Sequence, residues 1–228
     1  MSAVALLLAG GAGRRLGAGV AKAFVPLAGR PMLTYSLESL ATVGRVTRVV
    51  VAVPEGLAET ALRLAAEAGV GEARVVAGGP SRRESALLAL AEVGDADSVV
   101  VHDAARPLCR PSLFEVCLNA LQDADGAVVC APVTDTIKKV GPGGFISETH
   151  SRAGLWSAQT PQTFRLDVYR RAHEKAVRDG FDATDCSAMV ERLGARVRVI
   201  PGDPDNIKIT APVDIALAER LLERDPTP

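Results

Sequence analysis

The sequence predicts an α/β fold, with a mostly parallel sheet covered by helices on both faces. Short apolar runs alternate along the chain with segments of helical periodicity. The apolar runs are continuous, which is typical of strands buried on both faces, and about 10–15 helical residues separate them. With 228 residues, the chain is long enough to form one large domain with a substantial core.

Each apolar run predicts a strand, and each intervening amphipathic segment predicts a helix. In chain order, the predicted strands span residues 3–8, 47–53, 73–77, 97–101, 126–133 and 196–200. The predicted helices span residues 31–43, 56–68, 81–93, 111–122, 165–179, 185–193 and 212–223. Ligands of such sheets bind at the carboxyl ends of the strands. We therefore look for chemistry in the loops that follow the strands.

Residues 135–152 interrupt this alternation. They contain two short β-prone arms around a Gly-Pro-Gly-Gly turn at 141–144, which predicts a hairpin. A lone two-stranded hairpin is marginally stable in water. We therefore expect it to pack against a second copy of the chain. The chain is predicted to be a single domain, residues 1–228, with residues 135–152 as an extended β-hairpin arm.

The composition argues against several classes of protein. The net charge is −1, whereas a nucleic-acid binder is usually basic or carries a basic stripe. The four cysteines show neither a C-x-x-C pair nor metal-ligand spacing, so we expect free thiols in a reducing compartment. No apolar run approaches the ~18 residues of a membrane span. We expect a cytoplasmic protein with no nucleic-acid or membrane partner.

The most informative motif is a glycine-rich loop after the first predicted strand. Its five glycines are Gly10, Gly11, Gly13, Gly17 and Gly19. The same stretch carries Arg14, Arg15 and Lys22, and the first acidic residue of the chain is Glu38. Glycines let backbone N–H groups approach a ligand closely, and the cations add full positive charge. The loop is therefore predicted to bind a polyphosphate.

Two common phosphate-binding patterns do not fit this loop. A dinucleotide fingerprint would have its third glycine at Leu16, and the later acid is also missing, which disfavours a nicotinamide-dependent oxidoreductase. A Walker A loop needs Gly-Lys-Ser/Thr, whereas Lys22 lies between Ala21 and Ala23. The remaining pattern, L-A-G-G-x-G-x-R followed seven residues later by Lys, resembles the signature of nucleotidyltransferases that make nucleoside-diphosphate sugars and alcohols.

Two further clusters follow later strands, and each has a functional and a structural interpretation. Asp103 could hold a Mg²⁺–phosphate complex or a sugar hydroxyl while Arg106 faces a phosphate, or the two could pair within a turn. Ser81 and Glu84 predict a capping box at a helix start. That box does not explain Arg82 or the preceding glycine pair, whose backbone could lie along a base edge.

Three residues further along the chain are less decisive. Trp156 is the single tryptophan and is expected in the core. Arg152 ends the predicted hairpin and could be an ordinary surface cation. Lys208 lies between Ile207 and Ile209, so strand-like alternation points it away from their face, usually into water.

Together these clusters resemble the 2-C-methyl-D-erythritol 4-phosphate cytidylyltransferase family along essentially the whole chain. The matching segments, in family order, are residues 9–17 (AGGAGRRLG), 22 (K), 78–85 (GGPSRRES), 101–107 (VHDAARP), 131–138 (APVTDTIK), 152–164 (RAGLWSAQTPQTF), 183–194 (ATDCSAMVERLG) and 205–210 (DNIKIT). The resemblance implies a Rossmann-like sheet, a β-hairpin dimerisation arm exchanged across a homodimer, and cytidylyl transfer from CTP to 2-C-methyl-D-erythritol 4-phosphate. It also implies direct in-line attack, release of pyrophosphate and a requirement for Mg²⁺.

The resemblance assigns roles to individual residues. The implied catalytic residues are Arg15, Lys22, Arg152 and Lys208. The implied CTP-binding residues are Ala9, Gly10, Gly11, Gly79, Ser85 and Asp103. The implied residues for the substrate phosphate and polyol are Ala104, Arg106, Thr136, Arg152, Thr160 and Lys208. Asp103 would also contact the metal ion, which the CTP phosphates would mainly hold.

The sequence departs from the family pattern at three places. Alanines flank Lys22, Pro80 replaces a commonly acidic residue, and Cys186 stands where a second acid often follows Asp185. None of these changes removes an implied catalytic cation.

Two alternatives remain open from the sequence. A ribitol-5-phosphate cytidylyltransferase shares the fold and the CTP half of the site. A non-catalytic nucleotide-sensing protein on the same fold should have lost Arg15, Lys22 or Lys208, and this chain has all three.

Overall fold

A seven-stranded mixed sheet forms the centre of the molecule in a computed structural model that describes residues 1–11 and 20–225. The strands are β1 (Ala3–Leu8), β2 (Pro26–Leu27), β3 (Arg30–Pro31), β4 (Val46–Val53), β5 (Ala73–Ala77), β6 (Ser98–Asp103), β7 (Gly126–Pro132), β8 (Lys138–Val140), β9 (Ile146–Thr149), β10 (Trp156–Arg165) and β11 (Val197–Pro201). The helices are α1 (Met32–Ala41), α2 (Ala58–Glu67), α3 (Arg82–Ala91), α4 (Pro111–Ala120), α5 (Leu166–Arg178), α6 (Cys186–Glu191) and α7 (Pro212–Arg224).

The central sheet has the strand order β11-β7-β10-β6-β1-β4-β5. Its pairs are parallel except those of β10, which runs antiparallel to both β6 and β7. The predicted α/β class with a mostly parallel sheet is confirmed. In the parallel pair of β1 and β6, Leu8 lies opposite Asp103. The glycine-rich loop and Asp103 therefore begin at the same edge of the sheet.

Helices cover both faces of the sheet, as the continuous apolar strands predict. From β1, alternate side chains (Val4, Leu6 and Leu8) join a core shared with α3, α5 and α6. The side chains of Ala3, Ala5 and Leu7 join the opposite core, shared with α1, α2 and α4. Because β1 is buried on both faces, all of its residues can be apolar, and the resulting continuous apolar run allows the strand to be predicted from the sequence.

A third apolar cluster attaches the C-terminal helix to the edge of the site. Ile209 is fully buried there, together with Leu27 and Met32 and with Leu222 from α7. The backbone N–H of Ile209 donates to the carbonyl of Ala105 at 2.8 Å. The burial of Ile209 and its backbone hydrogen bond therefore fix the position of the preceding residue, Lys208.

Strand β10 is the main element that the sequence patterns did not predict. Its second half, residues 161–164, is buried between β6 and β7, whereas its first half is exposed. Pro161 cannot donate to a ladder, and polar residues interrupt the apolar run, so the segment lacks the pattern of a buried strand. The expectation of a buried Trp156 is wrong, because its side chain is 43% exposed.

The predicted hairpin is present. Strands β8 and β9 pair antiparallel and form a separate two-stranded sheet, in which every residue is exposed. Four large apolar side chains of the arm are exposed: Ile137, Val140, Phe145 and Ile146, at 36%, 60%, 78% and 62%. A two-stranded arm that leaves such side chains in water gains little from its own packing.

The four cysteines (Cys109, Cys117, Cys130 and Cys186) are buried and unpaired, which confirms the prediction of free thiols. Within residues 1–11 and 20–225, no helix is both long and apolar enough to cross a membrane.

The close approach of β7 and β10 leads us to predict that a side chain at Gly126 destabilises the fold. A Cβ atom on Gly126 would lie 2.5 Å from Cδ1 of Phe164, whose ring is fully buried and stacks on Tyr169 with centroids 5.1 Å apart. Because the ring has no room to move, we expect Gly126→Ala to lower the free energy of unfolding by about 1–3 kcal/mol. Urea denaturation measures this loss.

Gly71→Ala is the matched control, because a Cβ atom at Gly71 meets nothing within 4 Å. We expect the control to change the unfolding free energy by less than about 0.5 kcal/mol. Equal midpoints for the two variants would contradict the proposed clash.

Candidate active site

A cleft of about 660 Å³ lies at the carboxyl ends of β1 and β6. Its lining residues come from five separate segments, within residues 8–11, 22–23, 79–85, 103–105 and 208–210. Four of the motif clusters found in the sequence therefore meet at one place. The cleft lies where parallel α/β sheets bind their ligands.

Glycines let two backbone segments meet at the floor of this cleft. A Cβ on Gly10 would lie 3.3 Å from Oγ of Ser85, and one on Gly78 would lie 3.3 Å from Cα of Gly10. A Cβ on Gly79 would lie 2.5 Å from Cβ of Glu84, which leaves no space for a side chain. These contacts explain the glycines at positions 10, 78 and 79. They leave backbone N–H and C=O groups to line the cleft.

The helix α3 begins at the cleft with a side-chain cap. Ser81 accepts a hydrogen bond from the backbone N–H of Glu84 at 3.1 Å, so the predicted capping role of Ser81 is confirmed. Its hydroxyl in turn donates to Oε2 of Glu84 at 2.7 Å. The Ser85 hydroxyl donates to the Ser81 carbonyl at 2.9 Å. The positive end of the helix dipole therefore faces the cleft, where it favours an anion.

Asp103 is the electrostatic centre of the site. Its Oδ1 accepts from Nε of Arg82 at 3.0 Å, and its Oδ2 accepts from Nζ of Lys208 at 2.7 Å. Its side chain is only 10% exposed. Burial acts to raise the pKa of Asp103, but the two cations outweigh burial and hold the pKa well below its usual range. Asp103 is therefore an ionised carboxylate between two cations.

Asp103 and Arg106 close a turn, in which the backbone N–H of Arg106 donates to the carbonyl of Asp103 at 2.9 Å, but the predicted pairing of their side chains is wrong. The Arg106 side chain is buried, and its Nη1 donates to the backbone carbonyl of Asn206 at 2.7 Å. The arginine beside the Asp103 carboxylate is Arg82, which lies 21 residues earlier in the sequence. Sequence proximity pointed to Arg106, whereas the packing of α3 against the sheet brings Arg82 to the carboxylate.

Lys208 is directed into the cleft. The neighbouring Ile209 is buried in the cluster with α7, so alternation turns Lys208 to the opposite side, as its sequence position predicts. That side is occupied by Asp103, and the expectation that Lys208 points only into water is therefore wrong. The structure brings Lys208 and Asp103 together although 105 residues separate them.

Lys22 also lines the cleft, next to the described part of the glycine-rich loop. Its backbone N–H donates to the carbonyl of Gly11 at 3.1 Å, and it begins a short 3₁₀ turn, Lys22–Phe24. The buried Ala23 anchors this turn against the core. Arg15, another of the implied catalytic residues, lies outside the described residues, as do Gly13, Gly17 and Gly19.

Two residues implied in substrate binding lie behind the cleft wall. Thr160 is 2% exposed, and its Oγ accepts from the backbone N–H of Asp103 at 3.1 Å and contacts Nδ1 of His102 at 3.0 Å. Arg106 is 8% exposed and is held by Asn206. Their contact with a substrate stays a prediction. The sequence motifs did not single out His102 or Asn206, because burial and hydrogen-bond partners are not visible in spacing.

The two implied residues of the arm segment lie elsewhere in the single chain. Thr136 and Arg152 are exposed and do not line the cleft. The Arg152 guanidinium donates to the carbonyl of Thr134, at the base of the arm. A role for either residue in this cleft therefore remains a prediction, and it depends on a second chain.

The described lining offers little to a metal ion by itself. Asp103 is the carboxylate that lines the cleft, and residues 1–11 and 20–225 contain no group of three or more His, Cys, Asp or Glu side chains that could hold a metal. A hard cation such as Mg²⁺ is commonly held by one or two carboxylates together with substrate phosphates and water. The described lining therefore fits a divalent ion that Asp103 holds together with substrate phosphates and water.

Comparison with known proteins finds one family. The family model described as IspD, 2-C-methyl-D-erythritol 4-phosphate cytidylyltransferase, matches residues 3–224. A relative of that name from Rhodococcus jostii is 48% identical over 221 residues, which cover 96% of this chain and 95% of the relative. Another, from Symbiobacterium thermophilum, is 42% identical over 225 residues, with coverages of 96% and 92%.

Solved structures extend this similarity to the fold. The 2-C-methyl-D-erythritol 4-phosphate cytidylyltransferase of Thermus thermophilus has a TM-score of 0.81 and 31% identity, and the match covers 98% of this chain and 100% of that one. A 4-diphosphocytidyl-2C-methyl-D-erythritol synthase from Anaerococcus prevotii has a TM-score of 0.85 and 26% identity, with coverages of 98% and 99%.

The two ion pairs of Asp103 lead us to predict how the free energy of unfolding depends on this side chain and on pH. We expect Asp103→Asn to lower the free energy of unfolding at neutral pH by about 2 kcal/mol, because the amide has no charge and offers only one acceptor oxygen to two cationic donors. The pKa of Asp103 is lowered in the folded state. Its stabilisation is therefore present above the unfolded pKa of about 4 and is lost as the pH falls through the folded pKa. Urea denaturation across this range should show the two proteins converging in acid.

Asp167→Asn is the control, since Asp167 is 74% exposed and pairs with Arg171 at 3.6 Å on the surface of α5. Its loss should change stability by less than about 1 kcal/mol. A stability difference for Asp103→Asn that does not depend on pH would contradict the interpretation.

Proposed function

The chain belongs to the 2-C-methyl-D-erythritol 4-phosphate cytidylyltransferase family, and we propose that the cleft at β1 and β6 is its active site. The activity is transfer of a cytidylyl group from CTP to 2-C-methyl-D-erythritol 4-phosphate, a nucleotidyltransferase reaction. One observation supports the location above the others. Lys208, Asp103 and Arg82 form a charged chain at the mouth of a cleft whose floor is closely packed glycine backbone.

Backbone groups of the cleft would bind the cytidine. Ala9, Gly10 and Gly11 on one side and Gly79 on the other present unhindered backbone, which can match the N4 donor and the O2 and N3 acceptors of cytosine. Pro80, next to Gly79 in the lining of the cleft, has no carboxylate that could contact the base. Base selection therefore falls to backbone N–H and C=O groups, together with Ser85 at the start of α3. Asp103 would lie near the ribose.

Cations would stabilise the transferring phosphorus. In-line attack by the substrate phosphate on the α-phosphorus of CTP builds negative charge on a five-coordinate phosphorus, and no covalent enzyme intermediate is needed. Lys22 and Lys208 would face this charge, and Arg15 would add to them. Catalysis would then consist of positioning and electrostatic stabilisation. The described residues that line the cleft include no Cys or His side chain, which is consistent with this mechanism.

The divalent cation would be Mg²⁺. Asp103 would supply one oxygen ligand and the CTP phosphates the others, which agrees with the single carboxylate of the described lining. When bound, the ion neutralises phosphate charge and orients the triphosphate. Arg82 would keep Asp103 ionised and directed into the cleft.

The substrate half of the site would be completed across a homodimer. The exposed apolar side chains of the arm are suited to burial against a second copy, which would also bring the partner's arm to the cleft. Thr136 and Arg152 would then contact the substrate phosphate or polyol. Ala104, which lines the cleft, and Arg106 and Thr160 behind it would form the remaining wall.

The other interpretations of the sequence are not supported. Membership of a cytidylyltransferase family with this named substrate disfavours ribitol 5-phosphate, and a purely nucleotide-sensing role does not fit an enzyme family. The buried free thiols agree with a reducing compartment. We place the enzyme in the cytoplasm.

A pyrophosphate-release assay tests the function directly. Purified protein with CTP and Mg²⁺ should release pyrophosphate with 2-C-methyl-D-erythritol 4-phosphate, and much more slowly with ribitol 5-phosphate. Lys208→Ala should lower kcat on the order of 100-fold, as expected for removing a cation that faces the transition state. Equal rates with the two polyol phosphates, or no release with the first, would overturn the assignment.

Mixing two inactive variants tests the shared site. Lys22→Ala and Arg152→Ala should each be nearly inactive as homodimers. In the proposed dimer, each cleft takes Lys22 from one chain and Arg152 from the other. A heterodimer of the two variants therefore has one cleft with both substitutions and one cleft with neither. A 1:1 mixture forms half heterodimers, each with one intact site of two, so we expect about a quarter of the wild-type activity.

Two controls make this result interpretable. Differently tagged subunits, captured together, show that exchange has occurred. A mixture of Lys22→Ala with Lys208→Ala should remain inactive, because both residues line the same chain's cleft and each heterodimer cleft lacks one of them. Exchange without recovery in the first mixture would show that Arg152 does not act across the dimer.

A further inference from the structure

His102 is a fully buried histidine directly behind the proposed active site. It is the residue before Asp103 on β6, and its ring packs edge-on against Phe114 with centroids 5.1 Å apart. Both ring nitrogens have partners. Nδ1 lies 3.0 Å from Oγ of Thr160, and Nε2 lies 3.2 Å from the carbonyl oxygen of Arg106.

The partners determine where the protons lie. The carbonyl of Arg106 only accepts, so Nε2 of His102 must carry a hydrogen. Oγ of Thr160 already accepts from the backbone N–H of Asp103 at 3.1 Å, and its own proton has Nδ1 as an acceptor. A neutral imidazole with its proton on Nε2 satisfies every group. A protonated ring could donate from Nδ1 to the second lone pair of Oγ, but the Thr160 hydroxyl would then lose the acceptor that Nδ1 provides.

This arrangement connects His102 to both sides of the cleft. Through Thr160, it holds the backbone of Asp103. Through Arg106, it reaches the segment of Lys208, because Arg106 donates to the carbonyl of Asn206 at 2.7 Å and Asn206 is fully buried. Nδ2 of Asn206 in turn donates to the carbonyl of Thr160 at 2.9 Å, which closes the network.

We propose that His102 is a positioning residue for cytidylyl transfer, which, as the neutral Nε2–H tautomer, fixes Asp103 and the segment that carries Lys208. The role of these two residues rests on the proposed function. One consequence concerns Thr160: its hydroxyl proton is committed to His102, so it would shape the substrate site through its backbone and methyl group rather than as a hydroxyl donor.

Histidine-ring ¹⁵N–¹H correlation spectra test the tautomer without any activity measurement. We expect the spectrum at neutral pH to show a His102 ring with its hydrogen on Nε2 and none on Nδ1. Thr160→Val should move the Nδ1 signal toward that of a nitrogen with no hydrogen bond, and Thr160→Ser should not. An Nδ1–H tautomer, or no response to Thr160→Val, would overturn the proposal.

Kinetics then separate positioning from folding. His102→Phe keeps an aromatic ring against Phe114 but loses both hydrogen bonds, and we expect kcat to fall on the order of tenfold or more. His102→Asn can keep the bond to Thr160, and His102→Gln can keep the bond to Arg106, so each should recover part of this loss. A kcat for His102→Phe within about twofold of wild type would overturn the proposal.

His173 supplies the matched control. It is also buried, its ring packs edge-on against Tyr169, and its two ring nitrogens have no hydrogen-bond partner in the described part of the chain. His173→Phe should leave kcat unchanged. If the wild type releases no pyrophosphate, the proposed function fails. The ring spectra, and the shift of the Asp103 amide signal in His102→Phe, then still decide whether His102 positions Asp103.

Discussion

The site depends on one buried carboxylate held between two cations. Removing an ion such as Asp103 from water costs several kcal/mol, and only well-placed partners offset that cost. The partners are Arg82, at the start of α3, and Lys208, in the segment before α7. The pairing therefore ties two distant parts of the chain to the carboxyl end of β6. Any ligand that binds there meets charges whose positions the fold has already determined.

Behind this charged surface lies a network of mostly neutral groups. His102, Thr160 and Asn206 are buried, and they connect the turn after β6 to β10 and to the segment of Lys208 through hydrogen bonds rather than ion pairs. Arg106 is the charged member of this network, and its guanidinium donates to the backbone carbonyl of Asn206 rather than to a carboxylate. The neutral members therefore position Asp103 and the segment of Lys208 without competing for the charge of Asp103.

Sequence patterns predict those features that depend on one segment alone. The apolar strands, the capped helix and the outward turn of Lys208 beside Ile209 each follow from local burial, and the structure contains all of them. The patterns fail where two distant segments decide the outcome. Strand β10 includes Pro161 and is recognisable only from its neighbours β6 and β7, and the partner of Asp103 is Arg82 because α3 crosses the sheet there.

Two neutral residues, Pro80 and Cys186, stand where the family resemblance leads us to expect acids. Pro80 lines the cleft, and Cys186 accepts hydrogen bonds from Nη1 of Arg82 at 3.2 Å and from the Tyr169 hydroxyl at 3.1 Å. A thiol is a weak acceptor compared with a carboxylate. Among the described lining residues, three cations (Lys22, Arg82 and Lys208) therefore face one carboxylate, a net charge of +2. Under the proposed function, this net positive charge is available to the triphosphate of CTP, and neither Pro80 nor Cys186 adds a carboxylate that would offset it.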